Sequence, residues 1–458
     1  MTDEVMTLRK KTMKKFHSVS PIKLIPFVFI LIIVSGALLL MLPVSQKASG
    51  GTGFTDALFT ATSATCVTGL VRFDTFTHWT VFGQWVILAM IQIGGIGFMT
   101  IAIWFMSLTG RKIGLNTRFI MQSAISSPNL SGMVRITRFI LLGTLLVEGI
   151  GAVLLSFIFV PRFGVATGIY YSIFHSVSAF CNAGFDLMGV EEQFSSLTHM
   201  GSCVLLNFVI TSLIIVGGLG FIVWQDVLKA KFRFKKFHLH TKLVITMTLG
   251  LIVFGTLFLF LLETGSGAGE GKPVWERLLN AYFQSVSART AGFNTVDLGQ
   301  MNEGSSYMMI WLMLIGGSPG STAGGIKTTT FAILLISIFS VFRRKKSEEA
   351  FGRRMDENVM RTSACVFMTY LILTTVVAMI ISTIEGLPIL TTLYESVSAI
   401  GTVGLSMGIT PDLGMVSKLL LICLMYIGRV GSLTILMAFS SERRLIASKR
   451  PLEKVQIG

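Results

Sequence analysis

Charge is what this sequence has least of. Asp, Glu, Lys and Arg make up 13% of its 458 residues and 52% are hydrophobic, against roughly 25% charged in soluble domains. Apolar windows recur from end to end, which excludes a soluble domain on a single anchor and points to a polytopic membrane protein. Cysteine is also sparse. Cys66, Cys181, Cys203, Cys365 and Cys423 stand far apart with no CxxC pair, and the six histidines are scattered, so neither a zinc site nor a disulfide framework is expected. The cysteines read as small packing residues. No large loop carries a catalytic constellation, which makes a membrane-embedded enzyme the disfavoured class. A cleavable signal is also missing: "LRKKTMKKFH" precedes a run from Leu24, "LIPFVFILIIVSGALLLMLPV", too long for a signal-peptide core.

What the chain does have is repetition. "SVSA" occurs at Ser176–Ala179, Ser285–Ala288 and Ser396–Ala399, with a degenerate "ATSA" at Ala61–Ala64. Each is followed by glycine and a bulky apolar residue, at Gly69-Leu70, Gly184-Phe185, Gly292-Phe293 and Gly404-Leu405. These glycines lie 115, 108 and 112 positions apart, and the third copy is one residue shorter. Downstream, "IQIGGIGF", "IIVGGLGF", "MLIGGSPG" and "MYIGRVGS" align. One unit therefore reads as an outer helix (about 24–44, 139–160, 242–262 or 361–384), a half-helix, a glycine-containing return strand and an inner helix. The half-helices, near 54–65, 168–180, 275–288 and 391–400, are too short to span and read as re-entrant.

Basic residues set the topology. Of 38 Lys and Arg, 29 fall in the N-terminal segment, the tail and the loops after the inner helices (Arg111, Lys112, Arg118, Arg135 and Arg138 after the first). By the positive-inside rule both termini are cytoplasmic and the tetrads face outward. The fold expected is an all-α polytopic membrane protein with eight spans and four re-entrant half-helices around a pseudo-fourfold axis. The net charge of +15 then reflects topology, and nucleic acid is not an expected partner.

Irregular backbone at membrane depth must be buried in protein or line a wet cavity. Four such segments converge on a shared axis, where glycine brings carbonyl oxygens close and a ring of them can replace the hydration shell of a monovalent cation. A different interruption falls in the third inner helix. "GGSPGSTAGGIKTTT", Gly316–Thr330, has five glycines and Pro319 within its first ten residues and cannot hold a helix; its freed backbone is expected in a water-filled vestibule. It approaches a phosphate-loop pattern, but Ile326 separates Gly325 from Lys327 and no soluble α/β context surrounds it. Arg429 replaces the glycine found at Gly95, Gly218 and Gly317. A charge at helix centre costs about 2.5–3.5 kcal/mol on insertion scales, so Arg429 is a functional candidate, set to bond the loop carbonyls beneath the ring, against a structural tie between inner helices. Lys327 reads equally as gate or anchor. Arg289, next to the third turn, reads as bonded to loop carbonyls or a nearby acid ahead of a charge that repels cations. Asp56, Asp74, Asp186, Glu276, Asp297 and Glu395 flank the outer mouth, and Glu148 is a lone intramembrane acid.

"ATSATCVTGL", "SVSAFCNAGF", "SVSARTAGFNT" and "SVSAIGTVGL" resemble the four pore loops of the Trk/Ktr/HKT potassium-transporter superfamily, most of all its bacterial Ktr membrane subunit. The resemblance covers nearly the whole chain. It implies a potassium-uptake pore whose filter is Val67-Thr68-Gly69, Asn182-Ala183-Gly184, Thr290-Ala291-Gly292 and Thr402-Val403-Gly404, with K+ at the four glycines. Glycine rather than serine at position 69 leans towards potassium, a sodium or mixed transporter being the alternative. It also implies that the interrupting loop is a gate, with Gly316, Gly317, Ser318, Pro319, Gly320, Gly324 and Gly325, to which Lys327 and Arg429 are added as candidates on their charge. The division expected is a cytoplasmic N-terminus 1–23, repeats at 24–110, 111–230, 231–345 (broken at 316–330) and 346–440, and a cytoplasmic tail 441–458. Implied partners are a second copy, as a homodimer in the cell membrane, and a cytosolic ring of nucleotide-binding regulatory subunits (KtrA- or KtrC-like), for which loops 225–241 and 343–361 are docking surfaces. No cofactor is expected in this chain: K+ is substrate, Na+ a candidate coupling or activating ion, and a GxGxxG nucleotide site is lacking.

Overall fold

The protein's structure, a computed structural model, describes residues 21–47, 50–97, 133–264, 267–345 and 347–431. The basic N-terminal segment, Arg111, Lys112, Arg118 and the tail 441–458 lie outside these residues.

The chain is mostly helical, and the unit read from the sequence recurs four times. The outer helices are Pro21–Leu40, Met133–Phe163, Leu239–Leu262 and Glu357–Glu385. The half-helices are Phe54–Thr65, Val165–Cys181, Val274–Ser287 and Ile389–Gly401, opening after Gly53, Gly164, Pro273 and Pro388. Glycine and proline stop the preceding segment there, and proline's fixed φ suits a helix entrance. Three outer helices are long and apolar enough to cross a membrane. Leu142, Leu145, Phe157, Val253, Ile372 and Met379 stand exposed along them, the band a lipid phase would cover. Cys365 and Cys423 are exposed as well, which corrects their reading as packing residues. Inside, Phe59, Phe174, Phe283 and Tyr394, one per half-helix at the same register, are fully buried.

The first glycine of each inner-helix pair explains how closely the layers pack. A Cβ on Gly94, Gly217 or Gly428 would lie 2.0 Å from the carbonyl oxygen of Thr65, Phe180 or Ile400, at the C-terminal end of a half-helix. Only glycine allows that approach.

The inner helices differ from the expectation of one interrupted helix among four. The first ends at Ile96 before Gly97 (φ 86°) and the fourth at Val430 before Gly431 (φ 92°). The second, Val204–Leu219, continues as Phe221–Lys229 after a 91° bend at Gly220 (φ 91°). These glycines occupy one aligned position, and their left-handed backbone ends an α-helix wherever it occurs. In the third, Glu303–Leu314 resumes as Thr328–Phe342, so the interruption ends three residues earlier than the sequence suggested. The Thr328 N–H is held by Gly317 O at 3.0 Å, and the three threonines start the next helix.

Candidate functional site

After each half-helix the chain makes the same turn. Val67 (φ 57°), Asn182 (φ 60°), Thr290 (φ 72°) and Thr402 (φ 52°) are left-handed, and two residues later so are Gly69, Gly184, Gly292 and Gly404. In repeats 1, 2 and 4 the turn is a Schellman closure: Thr68, Ala183 and Val403 N–H reach back to Ser63, Ser178 and Ser398 O at 2.8 Å. Repeat 3 closes one residue tighter, Ala291 N–H to Ser287 O at 2.9 Å. Its missing residue therefore comes out of the helix end and leaves the turn unchanged. A left-handed non-glycine residue costs about 1–2 kcal/mol, and three of these four are β-branched. Such strain persists where the surroundings fix it.

The four turns close a ring. A Cβ on Gly69 would lie 2.5 Å from Ala183 O, on Gly184 2.8 Å from Ala291 O, on Gly292 2.6 Å from Val403 O, and on Gly404 2.2 Å from Thr68 O. Each glycine thus faces the carbonyl of the next repeat, in the order 1-2-3-4-1. Above the ring lies a cavity of about 390 Å³ that touches all four glycines. The serines of the repeated motif hold the ring from behind. Ser63 and Ser398 Oγ accept Gly69 and Gly404 N–H at 3.0 and 3.1 Å, Ser178 Oγ donates to Phe185 O at 2.7 Å, and Ser287 Oγ donates to Phe293 O. Sequence reasoning used these serines to find the repeat and missed what they do.

Directly beneath runs the interruption of the third inner helix. A Cβ on Gly324 would meet the Thr402 hydroxyl, and one on Gly316 would lie 3.1 Å from Thr290 Cγ2. The loop's two ends meet, Gly316 N–H donating to Ile326 O at 2.9 Å. Its residues are mostly buried, with Pro319, Gly320 and Ser321 half-buried, and part of the freed backbone finds its partners on the bent second inner helix. Ser318 N–H donates to Gly218 O (3.0 Å), Thr322 N–H to Gly217 O (3.3 Å), and Phe221 N–H to Gly320 O (2.9 Å). Arg429 donates to Thr322 O, in the loop, and to Gly94 O and Gly95 O (3.2 Å), at the end of the first inner helix. Lys327 Nζ donates to Ala323 O at 2.8 Å.

The family model for the cation transport protein TrkH matches residues 6–445. The chain belongs to this TrkH family of membrane-spanning cation transporters. Among similar proteins, the potassium/sodium uptake protein NtpJ of Enterococcus hirae is 42% identical over 99% of this chain and 100% of its own length. The Ktr system potassium uptake protein B of Bacillus subtilis is 41% identical over 95% of this chain and 96% of its own. The fold matches the crystal structure of the potassium transporter TrkH from Vibrio parahaemolyticus with a TM-score of 0.70 at 18% identity, covering 91% of this chain and 83% of that one.

Within this TrkH-family frame the remaining charged candidates separate. Of the six acids expected at the mouth, Asp74, Asp186 and Asp297 line the cavity above the ring, with Glu192. Asp56 instead pairs with Lys418 at 2.6 Å, Glu276 lies away from the cavity lining, and Glu395 is fully buried. Burial, then the charge of Asp74, pushes Asp186 up to about 7, opposed by the Met188 N–H that it accepts at 2.9 Å. Among the described residues Arg289 bonds neither loop carbonyl nor acid: its guanidinium reaches the Thr248 hydroxyl, on the outer helix, at 3.4 Å. Glu148 accepts Gln92 Nε2 at 3.0 Å, joining repeats 2 and 1.

Proposed function

We propose that this chain is the pore subunit of a potassium-uptake system and passes K+ along the axis of its four repeats. The observation that carries the reading is the ring in which Thr68, Ala183, Ala291 and Val403 carbonyls each face the preceding repeat's glycine. Such a ring offers a dehydrated alkali ion equivalent oxygens from all sides. The half-helix C-termini point partial negative charge at the same axis. The names of the similar NtpJ and Ktr proteins support potassium as substrate, and the name of NtpJ adds sodium, so a mixed K+/Na+ transporter is the second reading.

The loop under the ring acts as the gate. Arg429 and Lys327 hold it closed by their carbonyl bonds and place positive charge on the cation's path. The subunit sits in the cell membrane as a homodimer with both termini cytoplasmic, and a cytosolic ring of nucleotide-binding subunits docks on loops 225–241 and 343–361. Na+ acts as a coupling or activating ion.

Rubidium uptake by proteoliposomes holding the full chain, with and without sodium, is the direct test. Gly69→Ser and Gly404→Ser put a Cβ against backbone oxygen at a left-handed residue. Each is expected to raise the KM for Rb+ at least about tenfold, a loss of about 1.4 kcal/mol, and to erode discrimination against Na+. Unchanged selectivity in both variants sinks the carbonyl filter.

A further inference from the structure

The residue just before each repeated serine pair occupies one register of the half-helix, immediately behind the ring, and differs in every repeat: Thr60, His175, Gln284 and Glu395. All four are buried. Thr60 bonds its own helix at Asp56 O (3.1 Å). Gln284 finds no partner for either amide atom among the described residues. His175 bonds Tyr171 O through Nδ1 at 2.8 Å, so its Nε2 is left to accept the Leu187 N–H at 3.4 Å. Glu395 alone puts a carboxyl behind the ring. Its Oε1 accepts the Thr410 hydroxyl, while Oε2 has no partner among the described residues.

Thr410 and Ser406 line the cavity above Gly404, and their hydroxyl oxygens are 3.1 Å apart. A hydroxyl has one proton to give. Thr410 gives its proton to Glu395, and Ser406, whose side chain also hydrogen-bonds Glu395, gives its own to the carboxyl or to Thr410. Ser406 Oγ in turn accepts the Gly408 N–H at 3.0 Å. Every proton of this chain thus points inward to the carboxyl, and oxygen lone pairs are what remains for the cavity. Hydrogen bonds aligned head to tail also polarise one another.

We propose that Glu395 is a positioning residue that orients the Ser406–Thr410 hydroxyls and so makes the mouth above the fourth turn an oxygen-lined resting place for an incoming alkali cation. The inference rests on the filter reading above. It adds an asymmetric site outside the ring, controlled from behind by one repeat. Glutamine at this position has the same shape, yet its amide can donate to Thr410 and reverse the chain, turning a hydroxyl proton toward the cation.

The test is Rb+ uptake by the full chain in proteoliposomes, comparing Glu395→Gln, Thr410→Val, the double variant and Gly404→Ser. Glu395→Gln is expected to raise the KM about tenfold, equivalent to about 1.4 kcal/mol, with the maximal rate within about twofold of the original. Thr410→Val should do the same, and the double variant should be no worse than either single one. A wild-type KM in Glu395→Gln overturns the proposal, since a packing role is satisfied by glutamine. If Glu395→Gln fails to reach the membrane, Thr410→Val decides alone, and an unchanged KM there overturns it equally. Gly404→Ser separates the two readings. Loss of selectivity there beside an unaffected Glu395→Gln removes only this inference, whereas Gly404→Ser and Gly69→Ser both without effect remove the filter beneath it.

Discussion

Above and below the plane of the four glycines the molecule obeys different rules. Above it, all four repeats build one turn, and even the shortened third copy restores the same left-handed pair. Below it, two inner helices stop within the described residues, one bends by 91° and one opens into a mostly buried loop. A ring that must replace a hydration shell needs equivalent oxygens from every side. A closure needs a single obstruction, so one loop and one arginine are enough. On the proposed reading, repeat symmetry is kept where the ion has to be surrounded and abandoned where it has only to be stopped.

Removing Arg429 breaks the lower half alone and should have the largest effect. Arg429→Ala deletes the bonds to Thr322, Gly94 and Gly95. The maximal Rb+ uptake rate is expected to rise about tenfold, the consequence of removing about 1.4 kcal/mol of barrier. The preference for K+ over Na+ should stay as it was, because the ring is untouched. An unchanged rate reduces Arg429 to a tie between the first inner helix and the loop. Arg429→Lys keeps the charge and loses the fork, so a rate midway between the two assigns part of the closure to geometry.

Below that in size stands an asymmetry of the upper half. Asp186 lies two residues beyond Gly184 and lines the mouth, with no acid at the matching step of the other repeats. Burial and the charge of Asp74 hold it near 7, so it is charged above that pH and neutral below. Its charge helps gather cations over the ring and is lost as pH falls. The KM for Rb+ should therefore rise roughly two- to threefold between pH 8 and pH 6. In Asp186→Asn the KM should start high and stay flat. A variant that keeps the wild-type pH profile assigns the titration to another group.

The two halves were unequally legible in the sequence. The outer helices, half-helices and ring glycines could be read because hydrophobic length, the serine tetrad and glycine each leave a mark in composition. The left-handed residues ahead of them could not. Val67, Asn182, Thr290 and Thr402 include three β-branched residues, which avoid that region; only the closure around them forces it. Glu395 was read as a mouth acid since it sits near the glycine in sequence, but helix register turns it inward. The loop was expected in water, because nothing in "GGSPGSTAGGIKTTT" reveals that the second inner helix breaks opposite it and offers Gly217 and Gly218 as partners. Pairings across repeats are the part a single sequence hides.

The smallest effect tests how the ring is shut. Repeats 1 to 4 are joined in order by the chain, but no peptide links repeat 4 back to repeat 1. Two polar contacts cross that seam: Lys418 with Asp56 at 2.6 Å, and Arg72 with Pro411 O. The Lys418 side chain is 10% exposed and that of Asp56 22%, so solvent screens the pair only in part. Its loss in Lys418→Ala should lower stability by about 1 kcal/mol, between the values of exposed and buried pairs. Thermal unfolding in detergent reads that loss, while the KM for Rb+ stays constant. Arg162–Glu191, 2.7 Å apart with Arg162 43% exposed, joins parts of one repeat and serves as the comparison. Arg162→Ala should leave the unfolding temperature within error. Equal shifts in the two variants mean that the seam is held by packing of the fourth inner helix on the first half-helix, and that the charges only decorate it.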